Sequence, residues 1–84
     1  MTNHPNRGRV EIQPLGTSYL RAWRIPAGFK LLAEMRHQDG DQGLLIRNDR
    51  TRILMMLTAN ISLRSVPARQ VKAAADASGV DLEG

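Results

Sequence analysis

From Arg9 to Arg64 the apolar residues of this chain come in short runs, each closed within a few positions by glycine, proline, asparagine or aspartate. Runs so short and so often interrupted do not make helices, and several alternate apolar with charged residues, the period of a strand with one buried face. The chain is thereby restricted to a sheet of short strands. Arg9-Val10-Glu11-Ile12-Gln13 alternates in this way, with Val10 and Ile12 toward the core, and Pro14 and Gly16 end it. Tyr19 to Ile25 reads as a second strand before Pro26 and Gly28. Tyr19, Arg21, Trp23 and Ile25 would share one of its faces, and Leu20, Ala22 and Arg24 the other.

Lys30 to His37 fits two periods. Leu31, Leu32 and Met35 suit a helix, whereas Leu31, Ala33, Met35 and His37 alternate with Lys30, Leu32, Glu34 and Arg36 as in a strand. The strand is favoured because the turn-forming Asp39-Gly40-Asp41-Gln42-Gly43 follows, and after it the apolar Leu44-Leu45-Ile46, so that the two runs read as a hairpin. Asn48-Asp49-Arg50-Thr51 is the next turn. Ile53-Leu54-Met55-Met56-Leu57 is apolar on both faces and is expected to be the most buried strand, and after Ala59-Asn60 the alternating Ile61-Ser62-Leu63-Arg64 reads as the last.

The period then changes. Pro67 suits a helix start, Ala68 to Ser78 holds five alanines in eleven residues, and Gly79 supplies a stop. Val71, Ala74, Ala75 and Ser78 form the expected inner stripe. A helix of this length is marginal alone and must dock on the sheet. The expected fold is α+β: a small, twisted, mostly antiparallel sheet of five to six short strands with one C-terminal helix packed on one face. Residues 1–8 are expected to be a flexible arm, 9–78 a single domain, and 79–84 a loose acidic tail.

Leu, Ile, Val and Phe make up about a quarter of the 84 residues, enough to fold one small domain. So small a domain leaves apolar area uncovered, which a homodimer would bury. With no cysteine, neither disulfides nor a thiolate metal site is available. Residues 1–9 are polar rather than signal-like, and no apolar run nears the roughly 18 residues of a membrane span, so a cytoplasmic protein without membrane contact is expected.

Chemistry-bearing motifs are absent. The two histidines, His4 and His37, are too few for most metal sites, and His37 is expected to be half-buried. Asp39, Asp41 and Gly43 open like a calcium loop, but Leu44 stands where the loop needs glycine and Arg50 where it needs glutamate. No serine has the flanks of an activated nucleophile, and Gly16-Thr17-Ser18 is not a phosphate loop. No enzyme activity and no cofactor are expected.

What remains is charge. The net charge is +4, and ten of the twelve cations are arginine, whose planar fork suits phosphate, carboxylate and aromatic partners. Residues 1–37 hold six cations against two carboxylates, while residues 38–84 hold six of each sign. Arg47, Arg50 and Arg52 form the densest cluster, at a turn. Tyr19, Arg21 and Trp23 share a strand face that would stack a base, although a sheet with one Trp, one Tyr and one Phe has more need of its aromatics inside.

Met1-Thr2-Asn3-His4-Pro5-Asn6-Arg7 resembles the opening of many short bacterial reading frames carried on phages and integrative elements, over less than a tenth of the chain. That resemblance implies a small protein that acts by binding, either a regulator of DNA transactions or an inhibitor of a host defence complex such as an anti-CRISPR protein. The expected function is accordingly that of a small basic binding protein contacting nucleic acid or a nucleoprotein through Arg21, Arg24, Arg47, Arg50 and Arg52, assisted by Arg7 and Arg9. The alternatives are a protein–protein inhibitor or adaptor using a sheet edge, and a self-associating structural subunit.

Overall fold

A computed structural model of the protein describes residues 9–16 and 23–84. Five strands and one helix follow in chain order: β1 (Val10–Gln13), β2 (Phe29–His37), β3 (Gln42–Asn48), β4 (Leu54–Thr58), β5 (Leu63–Ser65) and α1 (Ala68–Ser78). The sheet order is β1-β2-β3-β4-β5, and each neighbouring pair is antiparallel. This is an open meander carrying a C-terminal helix, the expected α+β class. Connections of hairpin length between β2 and β5 leave no other arrangement, since a parallel pair needs a long crossover.

The sheet buries both faces at its centre. On one side Val10, Ile12, Ala33, Met35, Leu45 and Met56 meet Val71 and Ala75 of the helix. On the other, Leu44, Ile46 and Leu57 are covered by Trp23, Ile25, Phe29, Leu31 and Met55. Leu44, Leu45 and Ile46 are all fully buried, so β3 is the most buried strand rather than the expected 53–57 run. The correction has a positional cause. β3 is the central strand of the five, whereas Ile53 lies before β4 and is 57% exposed, and Leu54 and Met55 are only half-buried.

The expected 19–25 strand is also revised. Residues 19–22 lie outside the described residues, and Trp23 to Ile25 form no strand. Trp23 and Ile25 instead belong to the connection that lies over the second face of the sheet. Alternation of apolar side chains suits any extended segment lying on a core, paired or not.

In β2 the pairing with β3 shifts register between Leu31 and Ala33, a bulge that leaves Leu32 without a partner. Leu31 then packs with Ile46 on one face, and Leu32 joins Ala33 on the helix side. At Gly43 the backbone of β4 leaves no room for a side chain on β3. A Cβ there would lie 2.0 Å from the carbonyl oxygen of Leu57, so only glycine fits.

The helix begins after Pro67 and ends at Gly79, whose φ of 74° is left-handed. Its N–H turns back to the carbonyls of Ala75 and Asp76, and Val80 N donates to Ala75 O at 2.9 Å. Val71 and Ala75 are buried, Ala74 and Ser78 are half-buried, and Ser78 Oγ donates to Ile12 O at 2.8 Å, tying the helix end to β1. The inner stripe is the expected one, but the tail is not loose. Val80 and Leu82 pack against the core on the helix side, because the reversal at Gly79 returns the chain to the sheet.

Candidate functional site

The structure disperses the arginines that the sequence groups. Arg7 and Arg21 lie outside the described residues, as does Tyr19. Arg9 is exposed just before β1, where its carbonyl accepts from Gln38 N at 3.0 Å. Arg24 is exposed on the connection that covers the second face. Trp23, its neighbour, is half-buried against the core and offers no open stacking platform.

The cluster at the β3–β4 turn separates into three environments. Arg47 is a strand residue on the helix side of the sheet, opposite Lys30 on β2 and Leu54 on β4, and is 6% exposed. Its Nη2 meets Asp49 Oδ1 at 3.0 Å, and its Nη1 donates to Leu82 O. A buried guanidinium needs such partners, since its desolvation is otherwise too costly. Arg52, with a φ of 65°, pairs with Glu83 at 2.6 Å. Arg50 is exposed and, unlike Arg47 and Arg52, enters no ion pair; its turn is held by Asn48 Oδ1 accepting from Arg50 N at 2.8 Å and Thr51 N at 3.1 Å. Lys30 Nζ donates to Gly84 O. Three of the chain's cations thus hold the C-terminal segment down, and no three-arginine patch forms at the turn.

Sequence reading missed Arg64. From β5 its Nη1 reaches Asp41 Oδ2 at 2.6 Å and its Nη2 reaches Asp39 Oδ2 at 2.8 Å. The guanidinium, followed by the Asp41 N–H, holds the Asp39 carboxyl below the ordinary aspartate range, and the two carboxylates in turn raise Arg64 further. The acidic β2–β3 turn is therefore a docking point for the edge strand. Among the described residues no group of three potential ligands is placed to hold a metal ion. Arg36 faces its register partner Glu11 across β1 and β2 at 3.8 Å, a long and exposed pair.

The two edges of the sheet differ. The helix packs on β1, and Ser78 takes up the Ile12 carbonyl. Along β5 no further strand lies among the described residues. Leu63 is 44% exposed there, and Ile61, in the turn before it, is exposed with a φ of 61°. A left-handed conformation is a true outlier for a β-branched residue. The turn imposes it: Ile61 N donates to Thr58 O, and Thr58 N donates to Ser62 O, both at 2.9 Å. A run of alternating residues gives no sign of which strand will end at an edge, so this surface was not visible in the sequence.

No helix among the described residues is long and apolar enough to cross a membrane. The chain matches no protein-family model, no curated protein and no solved structure.

Proposed function

We propose that the chain is a small binding protein that takes an extended segment of a protein or nucleoprotein partner along the open edge of β5. One observation carries this reading: the edge strand presents exposed Leu63, beside an exposed Ile61 held left-handed. Strand addition supplies affinity through main-chain hydrogen bonds, and side chains of alternate positions supply selectivity. Backbone strain at an exposed apolar residue supports the same reading, since outliers held by their surroundings gather at binding and switch regions. β5 is itself short and runs into Pro67, features that keep an open edge from pairing indiscriminately.

The test is affinity capture from nuclease-treated bacterial lysate, comparing the parent chain with Leu63→Arg and Ser65→Pro. Partners retained by the parent and lost by both variants are expected. An identical set of partners on all three chains would overturn the reading. Retention of a second copy of this chain alone, lost in the same variants, would make the edge a homodimer interface.

A second reading rests on different residues. Among the described residues Arg24, Arg50, Arg69 and Lys72 are exposed and enter no ion pair, in a chain of net charge +4. Phosphate contacts by these side chains would make a nucleic-acid affinity that falls steeply with salt. Mobility-shift titration at low salt checks it, with a fourfold alanine variant as the control. Binding that the variant retains in full rules these residues out.

A further inference from the structure

Residues 80–84 lie over the helix side of the sheet as a self-contained acidic turn. Asp81 builds it: its Oδ1 accepts from Glu83 N at 2.9 Å, and its main-chain oxygen accepts from Gly84 N at 3.3 Å. Three cations receive this turn. Arg47 and Lys30, register partners on β3 and β2, donate to the main-chain oxygens of Leu82 and Gly84, and Arg52 pairs with Glu83 at 2.6 Å. Val80 and Leu82 add their apolar side chains to the core.

We infer that this groove is a recognition site for an acidic turn of a protein partner, and that residues 80–84 are an exchangeable segment seated in it. Main-chain oxygens, a carboxylate and apolar side chains are together the features of a polypeptide, and different parts of the groove read each of them; a phosphate chain offers only the charge. The turn carries its shape in its own hydrogen bonds, so an equivalent turn on another chain presents the same atoms. Exchange is accessible because the hinge is Gly79, whose left-handed φ of 74° suits glycine, and because the Arg52 and Glu83 side chains are 51% and 79% exposed. A cleft of about 400 Å³ also stays open between the segment, Leu54 of β4 and Ala68 and Lys72 of α1, which is room for a larger apolar side chain than the segment supplies.

The charge balance favours an acidic occupant. Asp81 and Glu83, which also line the cleft, leave it when the segment lifts. Asp49 then still balances Arg47, and Asp76 stands four residues from Lys72 on α1. Arg52 and Lys30 remain, with no other carboxylate paired to them among the described residues. The groove uses neither Ile61 nor Leu63, so its fate does not depend on the partner proposed for the β5 edge.

The test uses the full chain carrying Leu82→Ser and Glu83→Lys, which removes the segment's apolar anchor and reverses its charge. It is titrated with a fluorescent, capped peptide of the sequence of residues 80–84. The peptide is expected to saturate this variant and to bind the parent more weakly by about tenfold or more, since a tethered segment competes at an effective concentration on the order of millimolar. Adding Arg52→Glu should reverse the preference between this peptide and one with lysine in place of its glutamate. Where the variant loses its fold by circular dichroism, the peptide in trans should restore it. Neither saturation nor restoration, or equal affinity for the glutamate and lysine peptides in both backgrounds, would overturn the proposal and leave the segment a fixed part of the core. Parent dimers that the peptide dissolves would assign the groove to a second copy, and a short single-stranded DNA that competes as well as unlabelled peptide would assign it to nucleic acid. Either result overturns the assignment to a partner protein's acidic turn.

Discussion

Arg47, in the middle strand of the sheet, donates to the main-chain carbonyl of Leu82, thirty-five residues further along, while holding Asp49 at 3.0 Å. This contact turns a residue that resembles a surface cation into the clasp of the C-terminal segment. The guanidinium supplies both the charge balance for Asp49 and a donor for a carbonyl brought back to the sheet. Arg47→Ala should lower unfolding free energy by about 1–3 kcal/mol, the range for losing hydrogen bonds made by a charged group. Asp49 is half exposed, so water compensates it in part. Removal of residues 80–84 should cost a similar amount, and the two changes together less than their sum, measured by urea denaturation as a double-mutant cycle.

Gly43→Ala should be among the most damaging single changes. The added carbon meets a backbone carbonyl 2.0 Å away rather than a movable side chain, so β3 and β4 must part at the Gly43–Thr58 end of their ladder. A loss of about 3 kcal/mol or more is expected. Circular dichroism melting of the variant checks this; a melting point within a degree or two of the parent would contradict the close approach.

Asp39 links the acidic turn to pH. Its carboxyl titrates below the ordinary value of 3.8 because Arg64 hydrogen-bonds it, so its contribution is fully present above that value and is lost as pH falls through the lowered folded value. Asp39→Asn should therefore flatten the acid limb of the stability profile below pH 3.8 without moving the neutral plateau's shape. Denaturation at a series of acid pH values, for parent and variant, measures the difference.

Ile61→Asn should stabilise the chain. A non-glycine residue in the left-handed region costs about 1–2 kcal/mol, asparagine tolerates it better, and the exposed isoleucine side chain gives little burial in return. A gain of about 0.5–1 kcal/mol in thermal denaturation is expected. If the β5 edge is the binding surface, the same variant should capture less partner, the trade expected of strain kept for function.

How far the sequence reached is clearest in β2. Leu31 and Leu32 fitted a helical spacing as well as a regular strand with Leu31 on the face of Ala33 and Met35, and the bulge overturns that alternation: Leu32 shares the helix side with Ala33 and Met35, and Leu31 faces the other way. The hairpin of β2 and β3, β4, the alanine-rich helix and its glycine stop were legible because each depends on local period and local backbone freedom. Trp23 was legible as apolar but not as part of a covering segment, and the arginine at 47 was legible as charge but not as an inward one.

By itself the sequence determined the α+β class, the strands other than the expected 19–25 run, the C-terminal helix and the surplus of arginine, since periodicity, turn residues and composition are properties of neighbours along the chain. The tertiary structure alone decided which strand is central, that Gly79 returns Val80 and Leu82 to the core, and that Arg47, Arg52 and Arg64 spend their charge on Asp49, Glu83, Asp39 and Asp41. The reason is that an ion pair or a sheet edge is fixed by residues distant in sequence and close in space, and the same arginine is a surface cation or a buried clasp according to which carbonyl or carboxylate the fold brings beside it.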